Sequence, residues 1–472
     1  MDEKTRGETG EGYKHALGNR QVQMIAIGGA IGVGLFLGAG GRLAAAGPGL
    51  IISYALAGVA AFLVMRALGE LVLYRPVSGS FVEYATTFIG PWAGFATGWM
   101  YWVNWAATGV AELTAVAIYI AKWAPDFPRW LTALIALGLV LTVNLVSVRL
   151  FGELEFWFAL LKVMAIITFL VVGLYLVLFS VNGAGAGNLV THGGFFPTGF
   201  GPVLVSLQAV VFAYSAIEMV GITAGETKEP RKVMPRAVNS VMWRIAVFYV
   251  GSVILLAMVL PWTAYSAGES PFVTVFSHIG FAGAGDVMNL VVITAAMSSC
   301  NSGLYATGRI LRSMALKGEA PAFTGAMSRR QVPAGGIVFT AVVLLAGVAL
   351  YYFLPGRAFN IAIAVSSLGV ITTWGTFLYC QIKLREACLR GEIERPSFRM
   401  PGSPVSNWVG LAFLALILVL MPFADPDQRV AFFLIPVLAI AIAVGWRVVG
   451  MRRALSERAA EPAARPAPDT LS

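Results

Sequence analysis

Three ionisable side chains lie in stretches too apolar to hold them without a partner or a task. Lys162 sits in Phe158-Ala159-Leu160-Leu161-Lys162-Val163, Glu218 in Ala216-Ile217-Glu218-Met219-Val220, and Glu112 in Val110-Ala111-Glu112-Leu113. A charge at the centre of a membrane helix costs about 2.5–3.5 kcal/mol on insertion scales, and such residues mark ion or substrate paths. The chemistry open to these three is proton exchange. A lysine ammonium can stand in for a coupling cation and give up a proton. The plainer alternative is that Lys162, about seven residues into its span, runs its stem out to the interface. No hard-cation cage of clustered carboxylates accompanies them, which favours proton over sodium as the coupled ion. The three histidines, with Cys300, Cys380 and Cys388, have neither metal-ligand nor disulfide spacing. No Ser-His-Asp, Cys-His or paired-carboxylate set is recognisable, so no metal, no cofactor and no enzymatic reaction is expected.

Two polar stripes accompany the charges. Tyr101, Asn104, Thr108 and Glu112 share one helix face, as do Thr294, Ser298, Asn301 and Tyr305. Either stripe could bond neighbouring helices, at about 0.6 kcal/mol per contact, or face a substrate. Asn104, Thr108, Ser298 and Asn301 are the candidates for reading a polar side chain.

A glycine-rich stretch supplies the complementary chemistry. Ile27 to Gly38 reads IGGAIGVGLFLG, with Gly28, Gly29, Gly32 and Gly34 inside an apolar run. Each glycine costs a helix interior roughly 1 kcal/mol against alanine. In lipid, irregular backbone is tolerated only where it is buried in protein or lines a cavity. The pattern predicts a discontinuous helix around Ile31 to Gly34 whose exposed amide N–H groups face a polar site, as half-helix N-termini do where transporters hold a substrate carboxylate. The alternative is close packing through small residues. A second interruption is predicted ahead of Glu218, where the small residues Ala213, Ser215 and Ala216 permit one. Interrupted spans at matching positions of two halves point to a transporter site.

These residues need a scaffold, and composition supplies it. The 472-residue chain is 58% hydrophobic and 12% charged. It predicts an all-α membrane protein of about twelve spans. The spans are 21–42, 48–73, 93–121, 129–149, 155–180, 200–223, 238–260, 284–310, 335–354, 358–382, 405–423 and 429–448. Met1 to Arg20 has no apolar core followed by a cleavage site, so it is not a secretory signal. Of the 33 lysines and arginines, Arg42, Lys122, Arg129, Arg357 and Arg429 fall in loops on one side and Lys162 within a span. All the others fall on the side of the two termini, which the positive-inside rule makes cytoplasmic. The net charge of +9 is therefore topology, and no nucleic-acid partner is expected. The lipid bilayer is the expected partner, and the oligomeric state is left open. In Gly225 to Arg236, Glu226 and Glu229 interleave with Lys228, Arg231 and Lys232, a pattern suited to ion pairs between loops.

With these residues in view, the chain resembles the amino-acid permeases of the amino acid–polyamine–organocation superfamily. GNRQVQMIAIGGAIGVGLFLG, MRALGEL, PVSGSFVEYA, Gly152-Glu153-Leu154-Glu155-Phe156-Trp157, ETKEPRKVMPRAVNSV and SSCNSGLYATGRILRSMA carry the resemblance, which runs from about Leu17 to Gly450. GNRQVQMIAIGGAIG, GRILRSMA and Leu260 to Val273 are most similar to its bacterial asparagine-permease branch. The resemblance implies a leucine-transporter-type fold, a five-plus-five inverted repeat plus two terminal helices, with helices 1 and 6 discontinuous. Its segments would be a cytoplasmic tail 1–20, a first repeat 21–180, a second repeat 200–382, terminal helices 405–448 and a cytoplasmic tail 449–472. It implies proton-coupled import of an amino acid across the bacterial inner membrane by alternating access. Asparagine is the substrate so implied; D-serine, D-alanine and glycine, or 4-aminobutyrate, are the family alternatives, and an amino-acid sensor is a more distant one. Gly32-Val33-Gly34 would bind the substrate carboxylate, and carbonyls near Phe212, Ala213 and Ser215 its ammonium. Phe212 matches an aromatic gate, and Lys162 a lysine that takes the place of sodium in proton-coupled relatives. Glu112 and Glu218 remain further candidates for the coupled proton. Val33 departs from the Ser or Thr of several relatives, which leaves the carboxylate to backbone amides.

Overall fold

The computed structural model describes residues 31–76, 80–219, 221, 230–280, 283–354 and 356–460. Gly28 and Gly29, Ser78 and Gly79, the Glu226, Lys228 and Glu229 cluster and both chain ends of the sequence reading lie outside them. Among the described residues every regular element is helical. Gly32, in extended conformation, precedes a short α1 (Val33–Phe36), and Leu37 joins it to α2 (Gly38–Ala46). Gly47, at φ 62°, turns the chain into α3 (Leu50–Tyr74). A Cβ there would lie 2.5 Å from Pro197, so this corner needs glycine for space as well as for backbone angle.

The helices α4 (Ser80–Phe88), α5 (Pro91–Ile120), α6 (Arg129–Val146) and α7 (Val148–Leu178) follow. The sequence pattern starts the fifth span at 155. The helix begins at Val148 because Ser147 caps it, its hydroxyl accepting from Leu150 N–H at 3.0 Å. Next come α8 (Gly201–Ala213), α9 (Pro230–Arg244), a π-helical segment Ile245–Gly251, and α10 (Ser252–Val259). The chain continues through α11 (Pro271–His278), α12 (Ala284–Leu316), α13 (Ala334–Phe353), α14 (Ala358–Leu389), α15 (Val405–Leu420) and α16 (Pro426–Ala460).

Ten helical segments among the described residues are long and apolar enough to cross a membrane. Val33–Tyr74 counts once among them, and α8, interrupted at Ala213, is too short to count. The chain is a multi-pass membrane protein. Trp157, Val171, Leu178, Phe423 and Phe433 are all exposed, an apolar surface that lipid covers and water would not. The helices α5, α12 and α14 form the buried centre, whereas α16 lies almost wholly at the edge.

Helix ends fall on two faces. The basic face holds the Arg75–Glu83–Lys317 ion pairs at 3.5 and 3.0 Å, and Arg330, which donates to Val146 C=O at 3.2 Å. The opposite face holds Arg42–Asp425 at 3.2 Å and Arg357–Asp427 at 2.6 Å. Near the basic face, buried Glu70 of α3 clamps the segment between α14 and α15. Its carboxylate accepts from Gln381 Nε2 at 2.8 Å, Met400 N–H at 2.7 Å and Arg395 Nε at 3.2 Å. Gln381 in turn accepts from Ser403 and Asn407. A neutral amide keeps the volume but misplaces one donor and loses the ion pair. Glu70→Gln is therefore expected to lower stability by about 1–3 kcal/mol, measured by thermal unfolding in detergent; a shift within error would show the clamp to be idle.

Candidate functional site

At the two predicted breaks the structure shows a helix start, Val33 after extended Gly32, and a helix end, Ala213, and these two ends meet. A Cβ built on Gly34 would fall 2.6 Å from Ala213 Cα, 3.1 Å from Ala213 N and 3.0 Å from Phe212 Cδ1. Bare glycine thus lets the start of α1 lie directly on the end of α8. The N–H groups of Val33, Gly34 and Leu35 have no carbonyl partner within their own first turn. The first bonds there are Phe36 N–H to Gly32 C=O at 3.3 Å and Leu37 N–H to Val33 C=O at 2.8 Å. The helix α8 stops at Ala213, and residues 214–218 form turns. Ala216 takes φ 70°, a left-handed backbone that costs a non-glycine residue about 1–2 kcal/mol. Such strain gathers where a fold holds a functional break open. Ile31, Val33, Phe212 and Ala213 are all buried here.

Glu112 of α5 reaches the first break. Its Oε1 would be 3.0 Å from a Gly32 Cβ, and Ser299 Oγ of α12 would be 3.4 Å from it. The Ser299 hydroxyl, the Lys162 ammonium and the Val33 N–H surround the Glu112 carboxyl. Glu112 Oε2 is buried with no hydrogen-bond partner. Such an orphan in a native core calls for an explanation, and a ligand or proton is one. Glu218 lies at the second break, among the Trp374 indole and the N–H groups of Ala216 and Glu218 itself. Its Oε2 is likewise buried and unpartnered. Toward the basic face, buried Phe81 packs on Tyr101 at 4.5 Å and on Phe377 at 5.7 Å.

From the opposite face a cavity of about 540 Å³ descends to Gly34, Leu37 and Gly38 beside the break and to Ala209 on α8. Ile118, Phe359 and Ile363 form its walls, and Arg42, Arg129, Asp425 and Asp427 its mouth. Asp425 caps α16, its Oδ1 accepting from Asp427 N–H at 3.1 Å and Gln428 N–H at 3.0 Å. The Arg42 ion pair therefore ties α2 to the start of α16.

The polar stripes divide. Asn104 and Thr108 turn to α14: Ser366 Oγ donates to Asn104 Oδ1 at 2.6 Å and shares a 2.9 Å bond with Thr108 Oγ1. The next residue, Ser367, accepts from Gln208 Nε2 of α8 at 2.7 Å. Two adjacent serines thus join α14 to both α5 and α8. Ser366→Ala is expected to cost about 0.6–1.7 kcal/mol in unfolding free energy; no change would mean that Asn104 and Thr108 find other partners.

On α12, Ser298 and Asn301 bond side chains of α7 and α6. Lys162 Nζ donates to Ser298 Oγ at 2.9 Å, and Asn144 Nδ2 donates to Asn301 Oδ1 at 2.7 Å. Ser299, one residue and 100° round the helix, is the α12 hydroxyl at the first break. Ser215 follows the end of α8, its N–H bonding Phe212 C=O at 2.9 Å. The sequence reading passed over Ser299, Ser366, Gln208 and Glu155. A signal existed for Glu155, a carboxylate two turns before Lys162; the serines carried none.

A family model described as amino acid permease matches residues 21–457. The chain belongs to the amino acid permease family. Curated relatives cover nearly its whole length. An L-asparagine permease of Streptomyces coelicolor is 54% identical over 97% of this chain and 94% of its own. An L-asparagine permease of Escherichia coli is 52% identical over 95% of this chain and 90% of its own. The L-asparagine permease 1 of Mycobacterium tuberculosis is 54% identical over 93% of this chain and 91% of its own. Permeases move a solute rather than transform it.

Proposed function

We propose that this permease imports L-asparagine with protons across the bacterial inner membrane by alternating access. The observation that carries the reading is the meeting of the start of α1 with the end of α8, Gly34 on Ala213, at the foot of a cavity open to one face. The names borne by relatives above half identity supply the substrate. Twelve helices follow if Val33–Tyr74 is divided at Gly47-Pro48 and the interrupted α8 is counted. Residues 21–180 and 200–382 would then be the two inverted repeats, with 405–448 appended. Lysine and arginine density makes the basic face cytoplasmic, with both termini there, and the cavity extracellular.

In this reading the amides after Gly32 hold the substrate carboxylate, and carbonyls left by the α8 break, between Phe212 and Ser215, take its ammonium. The carboxamide falls to Asn104, Thr108 and the neighbouring Ser299. A buried amide without partners costs about 1–3 kcal/mol, so a pocket built with these partners discriminates against apolar analogues. Glu112 supplies a physical coupling. A substrate carboxylate arriving beside the Glu112 carboxylate meets like charge, and a proton shared between them removes the repulsion. By reciprocity, acid outside tightens asparagine binding by the factor by which asparagine tightens proton binding.

Uptake of labelled asparagine into proteoliposomes, with and without an inward proton gradient, tests the reading. Gradient-driven accumulation, competed by unlabelled asparagine and not by D-serine, glycine or 4-aminobutyrate, is the expected result. Robust uptake of another amino acid alone would keep the permease and replace the substrate. Uptake indifferent to the gradient would remove proton symport.

A further inference from the structure

Beneath Lys162 runs a chain of hydrogen bonds that the coupling described above does not use. Lys162 Nζ donates to Ser298 Oγ at 2.9 Å, and Ser298 Oγ donates to Glu155 Oε1 at 2.6 Å. Lys162 and Glu155 are wholly buried. Glu155 Oε2 has no hydrogen-bond partner. The two ionisable groups share α7, seven residues and about 10.5 Å apart along its axis, with Glu155 nearer the basic face. Lys162 thus faces two carboxylates, Glu112 toward the helix break and Glu155 toward the basic face.

The next layer down is a stopper. Phe151, one turn before Glu155, stacks on Tyr305 of α12 at 4.1 Å and 4°. The Arg309 guanidinium lies over the same Tyr305 ring, 3.4 Å from its centre. Beside this layer, the bonded pair Asn144 and Asn301 joins α6 to α12. Among the described residues, the charged and titratable groups near this chain of bonds are Lys162 on the helix of Glu155 and Tyr305 and Arg309 from α12, with Glu112 beyond Lys162.

We propose that Glu155 is the inward acceptor of the coupled proton, reached from Lys162 through Ser298. The inference rests on the proton-symport reading and deepens it. In the step, an N–H bond of the Lys162 ammonium breaks as its proton joins Ser298 Oγ, and the original Ser298 O–H proton passes to Glu155 Oε1. The products are a neutral amine, an unchanged serine and a neutral carboxylic acid. One positive and one negative charge disappear, so Lys162 loses its attraction for Glu112 at the substrate break. The Phe151–Tyr305–Arg309 stack keeps the Glu155 proton from basic-face water until helices α7 and α12 part there. A purely structural ion pair would use the same three side chains, but it would have no reason to set the proton drive.

The test compares wild type, Glu155→Gln, Ser298→Ala and Ser298→Thr in proteoliposomes. Two quantities are read for each: the accumulation ratio of labelled asparagine under an inward proton gradient, and the exchange of external label against internal asparagine. For Glu155→Gln a roughly ten-fold or greater fall in accumulation, with exchange still measurable, supports the proposal. Accumulation at the wild-type ratio overturns it. If Glu155→Gln does not fold, the serine pair decides. Collapse of accumulation in Ser298→Ala with recovery in Ser298→Thr, which restores the hydroxyl, supports the relay; wild-type accumulation in Ser298→Ala overturns it. Loss of exchange in all three variants makes the chain a structural bond and also overturns the proposal. Wild-type protein that exchanges asparagine yet ignores the gradient removes proton symport itself, an outcome visible before any variant is made.

Discussion

Gly34→Ala is expected to lower asparagine uptake by about 100-fold or more while the protein still inserts and purifies. One methyl group is enough because of what it meets. The added Cβ would fall 2.6 Å from Ala213 Cα and 3.1 Å from Ala213 N, backbone atoms that no rotamer change can move. Overpacking of this kind typically costs about 1–3 kcal/mol. Here the cost falls on the contact that holds the two helix breaks in register, so substrate geometry suffers more than stability. Gly38→Ala is the control. Its nearest neighbour would be Val33 O at 3.8 Å, an ordinary contact. Uptake kinetics on both variants, with thermal unfolding alongside, would check this. Equal and mild effects at the two positions would mean that Gly34 is replaceable and the breaks need not touch.

Lys162→Ala is expected to have the largest effect on stability. Removing one member of a buried ion pair costs about 3–5 kcal/mol, because the partner charge is stranded. Lys162 serves two partners: Glu155 through Ser298, and Glu112. The variant should also lose accumulation driven by a proton gradient. Stability and coupling can be separated by adding Glu155→Gln to the lysine variant, which takes away the stranded charge. The double variant is expected to regain much of the lost unfolding temperature and none of the gradient drive. Recovery of both would place the coupled proton on Glu112 or Glu218. Recovery of neither would mean that the desolvated charge was not what destabilised the single variant.

Much of this architecture could be read from the chain because membrane helices advertise their exceptions. A glycine at 32 and an acid at 218 are costly in a continuous membrane helix, and the structure holds Gly32 in extended backbone and Glu218 in a turn. The α5 stripe from Tyr101 to Glu112 was equally legible, since all four residues are buried on one helix. What stayed hidden was rotation. Thr294, Ser298, Asn301 and Tyr305 do share a face, but periodicity cannot say toward which neighbour that face turns. It turns toward α6 and α7, leaving Ser299 beside the break. Partners distant in sequence were hidden for the same reason. Glu70 bonds Met400 N–H across 330 positions, and nothing in either local pattern announces the other. Glu155 was visible as an acid near Lys162, but the serine that links them lies 136 residues beyond the lysine.

The open cavity also has a thermodynamic side. Its volume of about 540 Å³ corresponds to on the order of eighteen waters at bulk density. Closing it during a transport cycle must return that water to the medium, so the conformational equilibrium performs osmotic work. A polymer too large to enter would draw the protein toward its closed form, whereas a small solute that enters freely would not. Turnover by this permease should therefore respond to the size of an osmolyte at fixed osmotic pressure, a sensitivity that a narrow, permanently dry path would lack.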